Sequence, residues 1–359
     1  MQKIAIIGGG PAGLSAAIEG AKKGLQVDLY NRDRIGDNIR CAEGFFDTLN
    51  RIGEPKSGVR FKVKELKFQV KNNYVFPTDN NVNLWMIDRR EWQIGLAEEA
   101  KRHGAKIVEN TPITEEKFQQ LTQDYDWVID SSGAPSVTSK VYGFTTFYKE
   151  KAGRTVEYVL EGDFSLYDGQ IFAALNDQGS GYYWIFPKSK TEANVGIIFF
   201  KETDVNLWDE LDNIVDRLGL SSYTKTKKLG GICPVVQPEK LVYDNVILTG
   251  DAAGLASAFH AGGMDNAFIS GKIAIQCIMD DRVDEYQNEI NQVLGKKLKG
   301  EARLANLVYN INPGILDRLV KTIHESGKSL GEYGFLNGNA EEMVKIGKLK
   351  GIIPSLLKK

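Results

Sequence analysis

The first thirty residues alternate between short apolar runs and small-residue segments, a pattern that predicts a strand, a glycine turn, a helix and a second strand. Residues 4–7 are all apolar, which is typical of a strand buried on both faces of a parallel sheet. Residues 14–23 are rich in Ala and Leu and predict a helix that ends at Gly24. Residues 27–30 predict the second strand. This unit indicates an α/β, Rossmann-like nucleotide-binding domain.

The same alternation of predicted strands and helices returns further along the chain. Residues 89–104 predict a helix, and residues 107–108 predict a strand directly after it. The run WVIDSSG at 127–133 predicts a buried strand that ends in a glycine. NVILTGDAAG at 245–254 predicts an apolar strand that enters a Gly-Asp turn, and a small-residue helix follows over residues 266–279. These segments predict the remaining parts of the nucleotide-binding domain.

Two other parts of the chain have a different pattern of residues. Residues 61–70 alternate as one strand, and residues 141–234 are aromatic and β-rich, which predicts an inserted, mostly antiparallel sheet. The chain from residue 284 onward is helical and lysine-rich in pattern. We therefore predict a discontinuous nucleotide-binding domain over 1–60, 86–140 and 236–283, a β-rich substrate domain over 61–85 and 141–235, and a helical C-terminal region over 284–359.

Composition and charge exclude several classes of protein. Apolar residues make up 42% of the chain and charged residues 26%, which is ordinary for a soluble globular protein. The net charge of −2 gives no indication of nucleic-acid binding. The chain has no apolar run of about 18 residues that would span a membrane. Lys3 is followed at once by a strand pattern instead of a signal peptide, so we expect a cytoplasmic protein.

Three widely separated cysteines, Cys41, Cys233 and Cys277, argue against a disulfide framework and indicate a reducing compartment. None of their spacings is CxxC, which argues against zinc and iron–sulfur sites. We therefore expect no metal site.

The glycine turn carries the motif GxGxxG at Gly8, Gly10 and Gly13. These positions allow, in order, a tight turn, close approach of the backbone to a pyrophosphate, and close packing of helix on strand. The following helix N-terminus offers free N–H groups to phosphates. The alternative is a tight turn that binds no ligand. In this fold the second strand usually ends in Asp or Glu, whereas this chain has Asn31, which carries no charge.

The late motif GDAAG favours a flavin over a nicotinamide cofactor. The Asp251 carboxylate follows a strand end, where it can accept a hydrogen bond from a ribityl hydroxyl, and AGGM at 261–264 precedes the next helix. A nicotinamide dehydrogenase does not need this turn so far from its glycine motif. The alternative is that Asp251 only caps a helix.

Several motifs together resemble the flavoprotein hydroxylase superfamily: GGGPAG at the start, Asp-Arg at 88–89, VIDSSG and LTGDAAG. The resemblance narrows to the geranylgeranyl reductases, including the archaeal digeranylgeranylglycerophospholipid reductases, with IRCAEG at 39–44 and YYWIFPKSKTEANVG at 182–196. LASAFHAGGM at 255–264 resembles that family's turn over the flavin. The chain departs from the family pattern at Asn31, at Ala258 and at Ile198.

The resemblance implies an FAD-binding Rossmann-like domain with an inserted, mostly antiparallel β-sheet substrate domain and a helical C-terminal tail. It places contacts with FAD at Ala12, Asn31, Cys41, Ala42, Gly44, Arg89, Ile113, Asp251, Gly263 and Met264. We add to this cofactor-binding set Gly8, Gly10, Gly13, Arg40 and Gly133.

Two residues are candidates for catalysis. By the resemblance, Cys41 faces the substrate's double bond, where its thiol can supply or relay a proton, and the neighbouring Arg40 would lower its pKa. The alternative is a small residue that only shapes the pocket. His260 lies in the turn next to the flavin, as a proton donor or as a local structural hydrogen-bond partner.

The stretch YYWIFP predicts an aromatic strand face that suits a polyprenyl chain, since such a chain offers only apolar area. The alternative is an ordinary core strand. The predicted substrate-binding residues are Tyr182, Trp184, Phe186 and Pro187.

We therefore expect an FAD-dependent reductase that saturates carbon–carbon double bonds of an isoprenoid chain by hydride transfer from reduced flavin. The alternatives are an FAD-dependent aromatic monooxygenase and a flavin electron-transfer or quinone reductase module. No second GxGxxG is present, so we expect an external electron donor, either ferredoxin or a reduced nicotinamide or deazaflavin. The lysine-rich tail at 345–359 predicts contact with a membrane surface or, alternatively, a solvated helix.

Overall fold

The computed structural model describes residues 2–78, 82–176 and 180–327. Within these residues the strands, in chain order, are β1 (Lys3–Ile7), β2 (Gln26–Tyr30), β3 (Gly44–Phe46), β4 (Val59–Lys62), β5 (Glu65–Gln69), β6 (Asn73–Pro77), β7 (Leu84–Ile87), β8 (Lys106–Val108), β9 (Trp127–Asp130), β10 (Gly153–Glu161), β11 (Gln170–Leu175), β12 (Gly181–Pro187), β13 (Glu192–Phe199), β14 (Thr224–Cys233), β15 (Val242–Tyr243) and β16 (Val246–Leu248). The α-helices are α1 (Pro11–Lys22), α2 (Arg89–Arg102), α3 (Glu115–Asp124), α4 (Val137–Val141), α5 (Thr145–Lys151), α6 (Leu207–Arg217), α7 (Met264–Met279), α8 (Tyr286–Val308) and α9 (Pro313–Glu325).

The predicted nucleotide-binding sheet has six strands in the order β15-β16-β9-β1-β2-β8. All its pairings are parallel except the short hairpin of β15 and β16. Helices α1 and α7 pack together beside it, and the crossing is close: a Cβ added to Gly271 would lie 2.3 Å from the carbonyl oxygen of Ala12. This crossing brings the N-terminal halves of both helices to the carboxyl edge of the sheet, where ligands bind in such folds.

A seven-stranded sheet with the order β14-β10-β13-β12-β11-β5-β6 forms the predicted β-rich part. Its pairings are antiparallel except that between β11 and β5. One face packs on α6 through a core that contains Tyr183 and Ile185, while Tyr182 and Trp184 lie on the other face. Because successive side chains alternate across a strand, the aromatic residues of β12 are divided between two cores.

The prediction of one strand over residues 61–70 is wrong. The chain forms β4 and β5, which belong to different sheets, because it changes partners between them: the Val63 N–H donates to the Leu84 carbonyl, and the Lys64 N–H donates to the Gly169 carbonyl. Strand β4 joins β3 and β7 in a three-stranded sheet with the order β3-β7-β4. This small sheet carries the end of the IRCAEG loop.

The predicted helical C-terminal region begins with α8 and α9, and the tail at 345–359 lies outside the described residues. Helix α9 is held to the turn between β5 and β6, since the carboxylate of Asp317 accepts hydrogen bonds from the N–H groups of Lys71 and Asn72 and from Asn72 Nδ2. In the part of the chain that the structure describes, no helix combines the length and apolarity needed to cross a membrane. The domain boundaries given above stay a prediction.

Candidate active site

The glycine turn between β1 and α1 leaves the N-terminus of α1 open. Gly8 has φ of +102°, and a Cβ there would lie 2.4 Å from the Ser131 carbonyl oxygen. A Cβ on Gly13 would lie 2.0 Å from the Gly8 carbonyl oxygen, whereas a Cβ on Gly10 would meet nothing within 4 Å. No side chain caps α1, so its first N–H groups can bind phosphate oxygens. The turn therefore fits a dinucleotide pyrophosphate.

Asn31, at the end of β2, holds this turn in place. Its Oδ1 accepts a hydrogen bond from the Gly9 N–H at 2.8 Å, and its Nδ2 donates to the Asp33 carbonyl at 2.9 Å. An amide oxygen can accept a second hydrogen bond. A contact of Asn31 with the cofactor ribose stays a prediction, as does one by Ile113, which is half-buried beside the core around Ile7.

A second open helix N-terminus lies at α7, next to Asp251. The N-cap residue Gly263 provides no capping side chain, and a Cβ there would lie 3.4 Å from Asp251 Oδ1. The surface of Asp251 is accessible to solvent, but many protein atoms surround its carboxyl. That enclosure raises the pKa of its carboxyl, and the positive charge of Arg89 partly opposes the rise. Two helix N-termini and a carboxylate thus border one cleft, an arrangement that suits the phosphates, the ribityl hydroxyls and a flavin carbonyl oxygen.

Cys41 lies in the loop between β2 and β3, where its Sγ accepts a hydrogen bond from the Glu43 N–H at 3.3 Å. The prediction that Arg40 lowers the pKa of this thiol is wrong. Arg40 is exposed, and burial raises the pKa of Cys41, while Arg89 is the cation that opposes the rise. A raised pKa keeps the thiol protonated at neutral pH, so Cys41 can act as an acid.

Arg89 connects the cysteine loop with the glycine turn. Its backbone N–H donates to Glu43 Oε1 at 3.2 Å, and its Nε donates to Gln93 Oε1 at 2.9 Å. Gln93 Nε2 in turn donates to the Gly9 carbonyl at 2.9 Å. Gln93 was not among the residues predicted from the sequence, although its spacing of four residues from Arg89 placed both on one face of α2.

The aromatic face of the seven-stranded sheet lies against the cysteine loop. Tyr182 and Trp184 are buried with Ile198, Cys233 and Ala256, and Ala42 packs against this cluster. Asn194 Nδ2 donates to the Ala42 carbonyl at 2.9 Å, and a Cβ on Gly44 would lie 3.2 Å from Phe186 Cε2. The structure therefore brings the IRCAEG loop and the YYWIFP strand into contact.

Pro187 is separated from the other three predicted substrate-binding residues. It ends β12, and strand alternation places it on the face of Tyr183 and Ile185, opposite Tyr182, Trp184 and Phe186. The aromatic face toward the cysteine loop thus includes only three of the four predicted residues.

His260 faces a buried charged cluster. Its Nδ1 accepts from the Gly262 N–H at 3.2 Å, and its Nε2 lies 3.4 Å from Glu301 Oε1. Lys297 completes the cluster with an ion pair of 2.8 Å to Asp265. Both ring nitrogens of His260 therefore face the protein, and its catalytic role stays a prediction.

The remaining predicted cofactor residues lie around the same cleft. Ala12 is in the first turn of α1, and Met264 is the first residue of α7. Gly133 follows β9 with φ of +87°, and a Cβ there would meet nothing within 4 Å. The structure therefore gathers both glycine motifs and the cysteine loop at the carboxyl edge of the parallel sheet, and the contacts of these residues with a cofactor stay a prediction.

Glu157, on β10, is a buried acidic residue that the sequence analysis missed. Burial, followed by the negative charge of Glu43, raises the pKa of its carboxyl to about 7, while Lys188 opposes the rise. Lys188 Nζ lies 3.3 Å from Glu43 Oε2. No motif identifies Glu157, because only the strand register brings it to the cysteine loop.

Comparisons with known proteins identify chains that are similar to this one. A family model described as pyridine nucleotide-disulphide oxidoreductase matches residues 2–163. A digeranylgeranylglycerophospholipid reductase of Methanosarcina acetivorans is 26% identical over 367 residues, which cover 90% of this chain and 88% of that protein.

Among solved structures, a geranylgeranyl bacteriochlorophyll reductase-like protein of Thermoplasma acidophilum aligns with a TM-score of 0.82 and 21% identity, covering 99% of this chain and 98% of that one. The flavin-dependent brominase Bmp2 aligns with a TM-score of 0.67 and 14% identity over 98% of each chain. These findings confirm the fold class and the resemblance named above.

Proposed function

We propose that this chain, an FAD-dependent oxidoreductase that resembles the geranylgeranyl reductases, saturates carbon–carbon double bonds of an isoprenoid chain. The observation that carries the proposal is the contact between the cysteine loop and the aromatic face: Ala42 packs against the cluster that contains Trp184, and its carbonyl accepts a hydrogen bond from Asn194. The loop that carries the Cys41 thiol and the apolar wall are thus in contact through Ala42. The similarity to a digeranylgeranylglycerophospholipid reductase supports the same substrate class.

The residues that would hold FAD are those of the two open helix N-termini. The first turn of α1 would bind the pyrophosphate, Asp251 would accept hydrogen bonds from the ribityl chain, and the N-terminus at Gly263 would face the flavin ring. When bound and reduced, FAD supplies the hydride that an isolated double bond needs.

The protein's own residues supply the proton and exclude water. Burial keeps the Cys41 thiol protonated, so it can donate its proton to the second carbon of the double bond. Tyr182, Trp184 and Phe186 would bind the polyprenyl chain by removing its apolar surface from water, worth about 25 cal/mol per Å². We propose that His260 holds the turn at 255–264 in shape through its contacts with Gly262 and Glu301.

The electrons would come from an external donor, a ferredoxin or a reduced nicotinamide or deazaflavin. The absence of a second GxGxxG in the sequence supports this, because a separate nicotinamide-binding domain would carry one.

The test is an anaerobic incubation of the flavin-loaded protein with dithionite and a geranylgeranyl-bearing lipid, followed by mass spectrometry of the extracted lipid. We expect the mass to rise by one H₂ for each reduced double bond. A product that gains an oxygen atom in an aerated reaction with NAD(P)H and an aromatic substrate would indicate a monooxygenase. Rapid reoxidation by a soluble quinone, with every polyprenyl substrate unchanged, would indicate an electron-transfer module.

A further inference from the structure

Glu157 stands on the same face of the seven-stranded sheet as the aromatic wall. The strand register pairs Trp184 with Gly196 and Gly196 with Glu157, so the three form one row across β12, β13 and β10. A Cβ added at Gly196 would lie 2.3 Å from Trp184 Cζ2 and 2.7 Å from Glu157 Cβ. The missing side chain at Gly196 therefore lets the Trp184 indole and Glu157 approach each other.

The Glu157 side chain is buried and incompletely paired. Its residue is 6% exposed, and within the described residues its Oε2 has no hydrogen-bond partner, like Nε1 of Trp184 in the same row. An unpaired buried carboxylate is costly, so the protonated form is favoured there. Its pKa of about 7 means that the carboxyl gains and loses a proton near neutrality.

Glu157 is coupled electrostatically to the Cys41 thiol and to Glu43, and ion pairs join Glu43 to the protein surface. The charge of Glu157 raises the pKa of Cys41, and that of Glu43 raises the pKa of Glu157, so the three groups lie within electrostatic reach of one another. Lys188 Nζ lies 3.3 Å from Glu43 Oε2 and 2.8 Å from Glu192 Oε1. The Glu192 side chain is 35% exposed, which carries the series to the surface.

We propose that Glu157 is the proton reservoir that reprotonates Cys41 after each double bond is reduced. The inference rests on the proposed function, in which the S–H bond of Cys41 breaks as a C–H bond forms, leaving a thiolate. The O–H bond of Glu157 then breaks and the S–H bond forms again, directly or through one water. The Glu157 carboxylate then regains its proton from solvent water. Each double bond thus consumes one hydride from the flavin and one proton from water.

The surroundings of Glu157 account for its titration. The charged groups that act on it are Glu43 of the cysteine loop and Lys188 at the end of β12, while Glu157 and Arg89 both act on the Cys41 thiol. Burial and the negative charge of Glu43 disfavour the charged carboxylate, and the positive charge of Lys188 favours it, so Glu157 can give up a proton and then regain it in its buried place.

The experiment compares Glu157→Gln with Glu161→Gln, an exposed glutamate on the same strand. The first readout is independent of turnover: the pH dependence of Cys41 alkylation by iodoacetamide, followed on the Cys41 peptide by mass spectrometry. We expect Glu157→Gln to shift the midpoint to lower pH, because it removes the negative charge that raises the thiol pKa. Infrared spectra should show a carboxylic C=O band that titrates near pH 7 in the wild type and in Glu161→Gln only.

The second readout separates the first turnover from the following ones. Glu157→Gln should saturate the first double bond at a rate within about twofold of the wild type, and then turn over about a hundredfold more slowly. Flavin absorbance and circular dichroism check folding. If Glu157→Gln disturbs the fold, Glu157→Asp replaces it in the test, and because it keeps a carboxyl it should recover part of the steady-state rate.

The outcomes distinguish the two proposals. If the wild type saturates the lipid while Glu157→Gln keeps both its steady-state rate and its alkylation midpoint, Glu157 is not the reservoir. If the wild type saturates no polyprenyl substrate, the proposed function fails, and the reservoir proposal fails with it even where alkylation and infrared titrations show the coupling.

Discussion

The indole of Trp184 lies across Gly196, so closely that a Cβ at position 196 would come 2.3 Å from Trp184 Cζ2. Real Cβ atoms do not make contacts this short, and neither the indole nor the opposite neighbour, Glu157, has room to withdraw within a packed sheet. The glycine of the YYWIFPKSKTEANVG motif is therefore explained by its position opposite the tryptophan of the same motif.

The change Gly196→Ala should displace Trp184 from the aromatic face. We expect overpacking to lower the free energy of unfolding by about 1–3 kcal/mol and the rate of polyprenyl reduction to fall. FAD binding should be retained, because the predicted cofactor contacts lie on other elements. Urea unfolding, flavin absorbance and lipid mass spectrometry measure the three effects. Gly231→Ala on β14 is the matched control, since its Cβ would meet nothing within 4 Å. Equal stability losses in both variants would contradict the steric explanation.

Asn31 should contribute to FAD affinity through the glycine turn. The change Asn31→Ala removes the acceptor for the Gly9 N–H, and we expect affinity for FAD to fall about tenfold, the equivalent of one lost hydrogen bond. Asn31→Asp keeps an acceptor oxygen and should stay within a few-fold of the wild type. Quenching of flavin fluorescence on titration of the apoprotein gives both values, and an unchanged affinity in the Ala variant would exclude this role.

Cys41→Ser should abolish most of the reduction without releasing the flavin. A serine hydroxyl is a far weaker acid than a thiol, so we expect the saturation rate to fall at least about a hundredfold, as for the loss of a general acid. Cys277→Ala provides the control, because Cys277 is buried in the core beside the parallel sheet. Full activity in Cys41→Ser would mean that the cysteine only shapes the pocket.

Asp317 should make the anchoring of α9 dependent on pH. Burial alone would raise the pKa of its carboxyl, but hydrogen bonds from Asn72 and Lys71 outweigh burial and lower it below the ordinary value. A lowered folded-state pKa means that the contribution to stability is present above the ordinary pKa of about 3.9 and is lost as pH falls through the folded value.

We therefore expect Asp317→Asn to destabilise the protein by about 1–2 kcal/mol at pH 7 and to differ less from the wild type near pH 3. Urea unfolding at the two pH values measures the difference. Lys321→Gln, at an exposed position on the same helix, removes only an exposed ion pair with Glu325 and should show a much smaller change with pH. A deficit of the Asn variant that is the same at both pH values would rule out the ionised carboxylate as the source.

Local sequence patterns determined much of this protein. The glycine turn, the Gly-Asp turn, the IRCAEG loop and the YYWIFP strand could each be located, because backbone conformation at a turn and side-chain alternation along a strand depend on neighbouring residues. The prediction of one strand at 61–70 was wrong because pairing between strands does not depend on local sequence. Alternation continues through the segment, but hydrogen bonds at residues 63 and 64 divide it between two sheets.

The groups that surround the thiol were decided by the tertiary structure. Arg40 is the neighbour of Cys41 along the chain, yet the cation that acts on the thiol is Arg89, which the start of α2 brings into place. Glu157 follows Cys41 by more than a hundred residues, and its charge acts on the thiol only because the pairing of β10 with β13 and of β13 with β12 sets it near the cysteine loop. A charge acts through space and through the burial of its surroundings, neither of which depends on distance along the chain, so the electrostatics of this site follow from the packing of its sheets.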